Sequence, residues 1–228
     1  MAMKTKPRQT SARIRAAGVD LAADLNWPEE PIQGLVVFAH GSGSSRLSPR
    51  NRAVASELVG RGLATVLLDL LTREEELVDD RDGRYRFDIE LLTSRFVDAV
   101  DWLRAHELPA GLPVGLFGAS TGAAVALQAA ASRPQQVQAV VSRGGRPDLT
   151  GKALEKVAAP TLLIVGERDT EVLALNRRAA LGMHAPVKIA VVPGATHLFE
   201  EPGCLEEVTR LAGNWFLEHL TQSRGGST

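Results

Sequence analysis

A nucleophile, an acid and a base each stand where an apolar run ends: Ser120 in "LFGASTGAAVAL", Asp169 in "VGERD" and His197 in "PGATHLF". A serine hydroxyl becomes a working nucleophile when an imidazole takes its proton, and a carboxylate on the far ring nitrogen fixes the tautomer and stabilises the imidazolium. The stretch Gly118-Ala119-Ser120-Thr121-Gly122 fits G-x-S-x-G. Glycines are needed there if the serine occupies a strained turn whose strand and helix approach too closely for side chains. Ala123, Ala124 and Ala126 are small enough for the following helix to lie tight on a sheet, and its N-terminus would face any anion forming on a substrate. The five-residue motif alone is a weak signal. Its weight comes from the strand before it, the helix after it, and the chain order Ser, Asp, His. A small residue in a tight turn, the plain alternative for Ser120, leaves the acid and the base unexplained.

Other residues compete for these roles. His40 also ends an apolar run, but it precedes Gly41 and is assigned to ordering its own loop. His106 and His219 fall on helix-like segments and His184 in a connection. Asp69 rivals Asp169, but it comes before the serine and breaks the order. Arg46 and Arg50 follow the glycine loop "HGSGSS", and Arg143 ends the strand after the serine. Their guanidinium forks would hold a substrate carboxylate or phosphate; ion pairs supporting loops, or the Glu74 to Glu76 run, are the plainer role. The glycine loop also permits a dinucleotide-binding reading, but Arg46 takes the third glycine's place and no second half-motif follows. The chain has neither H-E-x-x-H nor paired cysteines, so no metal and no cofactor are expected.

These residues must be carried by a sheet whose strands end at one edge, because open parallel sheets bind ligands beyond the carboxyl ends of their strands. Continuous apolar runs begin at 35 (LVVFAH), 64 (ATVLLDL), 114 (VGLFGAS), 137 (VQAVVSRGG), 161 (TLLIVGERD) and 187 (VKIAVVPGATH). Such runs without alternation belong to strands covered on both faces. Helix-like segments begin at Arg50, Phe87, after Ser120, at Glu171 and at Cys204. From Ala12 to Pro28 the pattern alternates around Gly18, as an edge hairpin would. Thr72 to Phe87 is charged and without a clear period, and is read as a surface loop near the mouth of the sheet. The alternation of strand and helix predicts an α/β fold, a mostly parallel central sheet with helices on both faces. The strand ending at Arg143 meets a helix-like stretch within a few residues, which leaves no room for a large cap domain.

The 228 residues suit one domain, residues 1–228, with 1–11 and 221–228 expected to be flexible. With 44% hydrophobic and 23% charged residues and a net charge of -1, there is no global field to attract nucleic acid or anionic lipid. The basic N-terminus lacks the apolar core of a secretory signal, no run is long enough to span a bilayer, and the single cysteine, Cys204, suits a reducing compartment. A cytoplasmic protein with a small-molecule partner, no nucleic acid and no membrane is expected. Its oligomeric state is unreadable, with a homodimer among the options.

The stretches "FAHGSGSSRLSPRN", "GASTGAA", "GERD" and "PGATHLFEEPG" resemble the dienelactone hydrolase-like branch of the α/β hydrolases, over Leu35 to Leu220. The resemblance implies an oxyanion hole made by the backbone N–H groups of Thr121 and Ser42. Similar hydrolase modules also occur joined to phosphoribosyltransferase domains. The enzymes that named the family use a cysteine where this chain has Ser120, so lactone-diene substrates do not follow. Serine suits ordinary esters. The expected function is a serine hydrolase that cleaves carboxylic esters through an acyl-enzyme. A thioesterase or acyl transferase on the same triad is the alternative, followed by a non-catalytic protein that keeps the fold as a ligand pocket.

Overall fold

The computed structural model describes residues 8–29 and 31–221. The chain opens with a hairpin, β1 (Arg8–Ala16) and β2 (Val19–Trp27), then runs β3 (Gly34–Ala39), α1 (Pro49–Gly60), β4 (Leu63–Leu68), α2 (Arg73–Asp82), α3 (Ile89–His106), β5 (Val114–Ala119) and α4 (Thr121–Ser132). After β6 (Ala139–Arg143) comes a 3₁₀ stretch, Pro147–Lys156, then β7 (Thr161–Gly166), α5 (Thr170–Leu181), β8 (Val187–Val192) and α6 (Cys204–Thr221). The strands form one sheet in the order β1-β2-β4-β3-β5-β6-β7-β8. β1, β2 and β4 pair antiparallel and every other pair is parallel.

Both faces of this sheet are covered, which is why its strands read as unbroken apolar runs. Along β3, Leu35, Val37 and Ala39 face the core shared with the hairpin, α3 and α4, while Val36 and Phe38 face the core shared with α1 and α6. Phe38 of β3 and Phe117 of β5, the strand that leads to the serine, pack at 4.7 Å between ring centroids. Gly115 makes room for the Phe216 ring of α6, since a Cβ there would lie 2.6 Å from it.

The structure departs from expectation at four places. The hairpin is not wholly an edge: β1 is, but β2 lies inside the sheet against β4. Its turn, Ala17-Gly18, has positive φ at both residues (45° and 80°), as a tight two-residue hairpin requires, and the Ala17 N–H donates to Asp98 of α3 at 2.8 Å. Arg8 to Ser11, expected in a flexible end, belong to β1, and Thr221 ends α6; residues 1–7 and 222–228 lie outside the described residues. β8 is the other edge and is only half-buried, unlike the central strands.

The last departure is α2, where a loop was expected. Thr72 and Glu75 form a reciprocal capping box, Gly83 closes the helix in the left-handed conformation, and Arg95 of α3 holds Glu75 with two hydrogen bonds, 2.7 and 2.6 Å. End chemistry and one ion pair make this helix, not an apolar stripe. No helix among the described residues is long and apolar enough to cross a membrane.

Candidate active site

Ser120 joins β5 to α4 with φ 52° and ψ -122°, a conformation a non-glycine residue adopts only under strain. The two glycines of its motif permit that turn. A Cβ on Gly118 would collide with the backbone of Ala123, and one on Gly122 with the carbonyl oxygens of Ala39 and His40. Gly41 keeps the space over the serine clear, since a Cβ there would lie 3.0 Å from the Ser120 Cβ. The helix behind the serine is almost entirely buried from Thr121 to Ala130, as its alanines allow.

Asp169 follows β7 and occupies the N-cap position of α5, yet its carboxylate caps nothing. It bonds instead to Nδ1 of His197 at 2.6 Å. An aspartate at an N-cap ordinarily satisfies helix N–H groups, so its diversion to a histidine points to a separate role. A carboxylate accepts only, so Nδ1 carries the proton and Nε2 is left as the basic nitrogen. Gly144 lies against the imidazole, where a Cβ would come 3.4 Å from Cε1 and Nδ1. Gly144 follows Arg143, whose carbonyl accepts the Ser120 N–H at 3.1 Å. Serine turn, Gly144 and imidazole are therefore contiguous.

The turn carrying His197 is pinned. Glu167 accepts the Gly194 N–H at 2.8 Å, Glu201 accepts the Thr196 N–H at 3.1 Å, and the Arg168 N–H donates to Ala195 at 2.9 Å. Asn176 of α5, fully buried, donates to the Gly145 carbonyl at 2.9 Å and steadies the loop under the imidazole. Sequence reasoning missed Asn176; a polar residue on the buried face of a helix was the available signal.

The rival acid and base have other work. His40 is buried, and Nε2 accepts the Leu70 N–H at 3.1 Å, so the proton sits on Nδ1 and is donated to Gly41 O at 2.9 Å. Burial holds its pKa below the ordinary histidine value, against the raising effects of the Gly41 bond and Asp69. Asp69 accepts the Arg46 backbone N–H at 2.6 Å and pairs with its guanidinium, which also lies 3.6 Å from Asp24. His40 and Asp69 thus fasten the loop after β3 to the end of β4.

The three arginines fare differently. Arg46 is committed to Asp69 and Asp24, and Arg50 pairs with Glu200 at 2.7 Å. Arg143 is 8% exposed, and no acid pairs with its guanidinium among the described residues. Its Nη1 is buried without a hydrogen-bond partner. Burial, aided by the neighbouring Arg50 charge, pushes its pKa down to about 10.

Thr121 and Ser42 are brought together, but not as two free donors: the Ser42 N–H donates to the Thr121 hydroxyl at 2.8 Å. Both border a cavity of about 220 Å³ walled by the loop His40 to Ser45, by Leu70, Leu71 and Leu92, and by Glu76, Asp80 and Arg86 from α2 and its exit. Among the described residues no group of three or more His, Cys, Asp or Glu is arranged to hold a metal ion.

The dienelactone hydrolase family profile matches residues 21–212. A dienelactone hydrolase structure from Anabaena variabilis is 52% identical, with a TM-score of 0.91 over 94% of this chain and 99% of that one. Est1E from Butyrivibrio proteoclasticus, at 18% identity and a TM-score of 0.76 over 92% of this chain and 98% of its own, shares the fold. A Mycobacterium tuberculosis protein provisionally named a phosphoribosyl transferase is 57% identical over 213 residues, which make up 93% of this chain and 47% of that protein. The chain therefore spans about half the length of its curated relatives. An eight-stranded α/β sheet without a large cap, a strained serine turn and the profile match place this chain in the dienelactone hydrolase family of the α/β hydrolases.

Proposed function

We propose that the protein hydrolyses carboxylic esters, with Ser120 as nucleophile, His197 as general base and then general acid, and Asp169 orienting His197. The observation that carries this reading is the 2.6 Å Asp169–His197 bond beside a serine held at φ 52°. Ser120 Oγ attacks the ester carbonyl while its proton passes to Nε2 of His197. The tetrahedral intermediate collapses as that proton moves to the departing alkoxide, leaving an acyl-enzyme. Water then repeats the sequence, giving its proton to His197 and releasing acid and free serine. A thioester or an acyl acceptor other than water would use the same groups, so a thioesterase or acyl transferase remains the alternative. The phosphoribosyl transferase name belongs to proteins about twice as long, and the hydrolase chemistry is assigned to the shared region.

Of the arginines, Arg143 is assigned to the substrate, because its charge lacks an acid partner while Arg46 and Arg50 are paired. The test begins with p-nitrophenyl esters and a fluorophosphonate probe. Ser120→Ala should lower kcat by on the order of 10⁴ or more with the fold intact, since triad members act as a unit. It should also abolish labelling. Asp169→Asn should cost more activity than Asp69→Asn, since only the first leaves His197 in the wrong tautomer. Less than tenfold loss in the serine variant, or the reverse ranking of the aspartates in folded proteins, rejects the assignment.

A further inference from the structure

Thr121 is the first residue of α4, where a backbone N–H has no partner within the helix. That N–H sits one residue after the serine, at a helix N-terminus, which favours an anion. The Thr121 side chain is also committed, because its hydroxyl oxygen accepts the Ser42 N–H at 2.8 Å. A hydroxyl has one hydrogen and two lone pairs, so accepting from Ser42 leaves the hydrogen to be given elsewhere. No protein acceptor takes it among the hydrogen bonds of the described residues. Thr121 is 5% exposed, and the little it shows faces the cavity bordered by Gly41 and Ser42. Its amide nitrogen and hydroxyl oxygen hang from adjacent carbons of one residue, so both hydrogens can converge on one acceptor.

We propose that the oxyanion site is built from Thr121 twice, by its backbone N–H and its hydroxyl, and that the Ser42 N–H acts through that hydroxyl instead of on the substrate. Donation from Ser42 polarises the O–H and fixes its oxygen, which makes it a better donor to a negative oxygen. Such a donor is preorganised, and its bond strengthens as the carbonyl oxygen gains charge in the tetrahedral intermediate. Loss of the hydroxyl therefore acts on kcat more than on KM. This inference rests on the ester hydrolase reading above.

The experiment compares Thr121→Val, Thr121→Ala and Thr121→Ser with the parent on p-nitrophenyl acetate, with melting temperature as the check on folding. Valine keeps the shape without the hydroxyl and serine keeps the hydroxyl without the methyl. Thr121→Val and Thr121→Ala should lower kcat by roughly 10² to 10³, with KM within a few-fold of the parent. Affinity for a trifluoromethyl ketone, whose adduct carries the oxyanion, should fall by a similar factor. Thr121→Ser should recover most of the loss. If valine crowds the turn and the variant does not fold, alanine provides the same comparison. A folded valine or alanine variant as active as the parent, or faster, overturns the proposal, because the Ser42 N–H then serves the substrate directly. A serine variant as impaired as the valine variant also overturns it, by placing the effect in packing. Failure of the underlying reading looks different: the parent itself neither turns over the ester nor reacts with a fluorophosphonate at Ser120.

Discussion

Arg143 carries a charge that folding removes from water without a counter-ion, and the charge that acts on it, that of Arg50, is of the same sign. Its pKa of about 10 in the fold lies below the ordinary arginine value, so the unfolded chain holds this proton more tightly. By linkage the charged side chain destabilises the fold at every pH below about 10, and the penalty is relieved only as pH rises above that. Each unit of such a shift corresponds to about 1.4 kcal/mol. Arg143→Met, similar in length and uncharged, should therefore raise stability at neutral pH by about 1 to 3 kcal/mol, read as a higher urea midpoint with unchanged slope. The same variant should lose any preference for an ester bearing a distal carboxylate over its neutral isostere, about ten- to a hundredfold in kcat/KM if the contact is desolvated. Neither gain nor loss would mean that Arg143 serves neither as a buried cost nor as a substrate contact. At this scale the sequence marks Ser120, Asp169 and His197 because a parallel sheet delivers them to one edge, and each ends an apolar run. It does not separate Arg143 from Arg46 and Arg50, because their fates depend on Asp24, Asp69 and Glu200, which the fold alone brings near. The Thr121 hydroxyl is hidden for the same reason: its partner lies across the turn on another loop.

Among the elements, α2 is the one whose sequence concealed it and whose position matters most to the cavity. Its residues are charged on all sides, so the period that reveals α3 and α6 is missing, and what holds it is local hydrogen bonding. Asp79 near its end is buried and accepts the N–H of Tyr85 at 2.7 Å, the N–H of Arg86 at 2.9 Å and Nε of Arg86 at 2.7 Å. Burial works to raise its pKa, but these bonds outweigh it and hold the carboxyl below its ordinary value. A lowered carboxylate contributes stability above the unfolded pKa and loses it as pH falls through the folded one. Asp79→Ala should cost about 2 to 3 kcal/mol at pH 7, and the gap from the parent should narrow as the solution becomes acid enough to protonate Asp79. Because Asp79, Glu76 and Arg86 wall the cavity beside Thr121, the variant should also raise KM for esters with bulky groups more than for acetate. A variant with parental stability and KM would show that the loop after α2 is held by something else. Helices with an apolar stripe were legible, as were the central strands; the half-buried edge strand β8 was legible as a strand but not as an edge.

Across the whole molecule, the two large apolar cores lie on opposite faces of a single sheet, with a small third cluster around Val165, Val172 and Leu173, and neither large core has an inner wall without the sheet. The strand order, with β4 between β2 and β3, ties the hairpin into that sheet, a feature that no single run of sequence displays. Dissolving one face would uncover strand residues whose neighbours in the chain still pack on the other, so the two cores should melt together. Three tryptophans report on this independently. Trp27 lies on β2, Trp102 on α3 against the hairpin-side core, and Trp215 on α6 against the other. Variants that keep one tryptophan and replace the other two with phenylalanine should give urea transitions with the same midpoint, when each variant's midpoint is referred to its own far-ultraviolet circular dichroism. The measurements belong in one buffer, because His106 stacks on Trp102 at 4.7 Å and His219 meets Trp215 at 4.3 Å, so two of the three indoles emit beside an imidazole. Coincident transitions are the mark of a single cooperative unit, while larger chains often populate intermediates. A Trp215 signal lost at lower urea than the circular dichroism would mean that α6 leaves the sheet first, and that the two faces fold as separable halves.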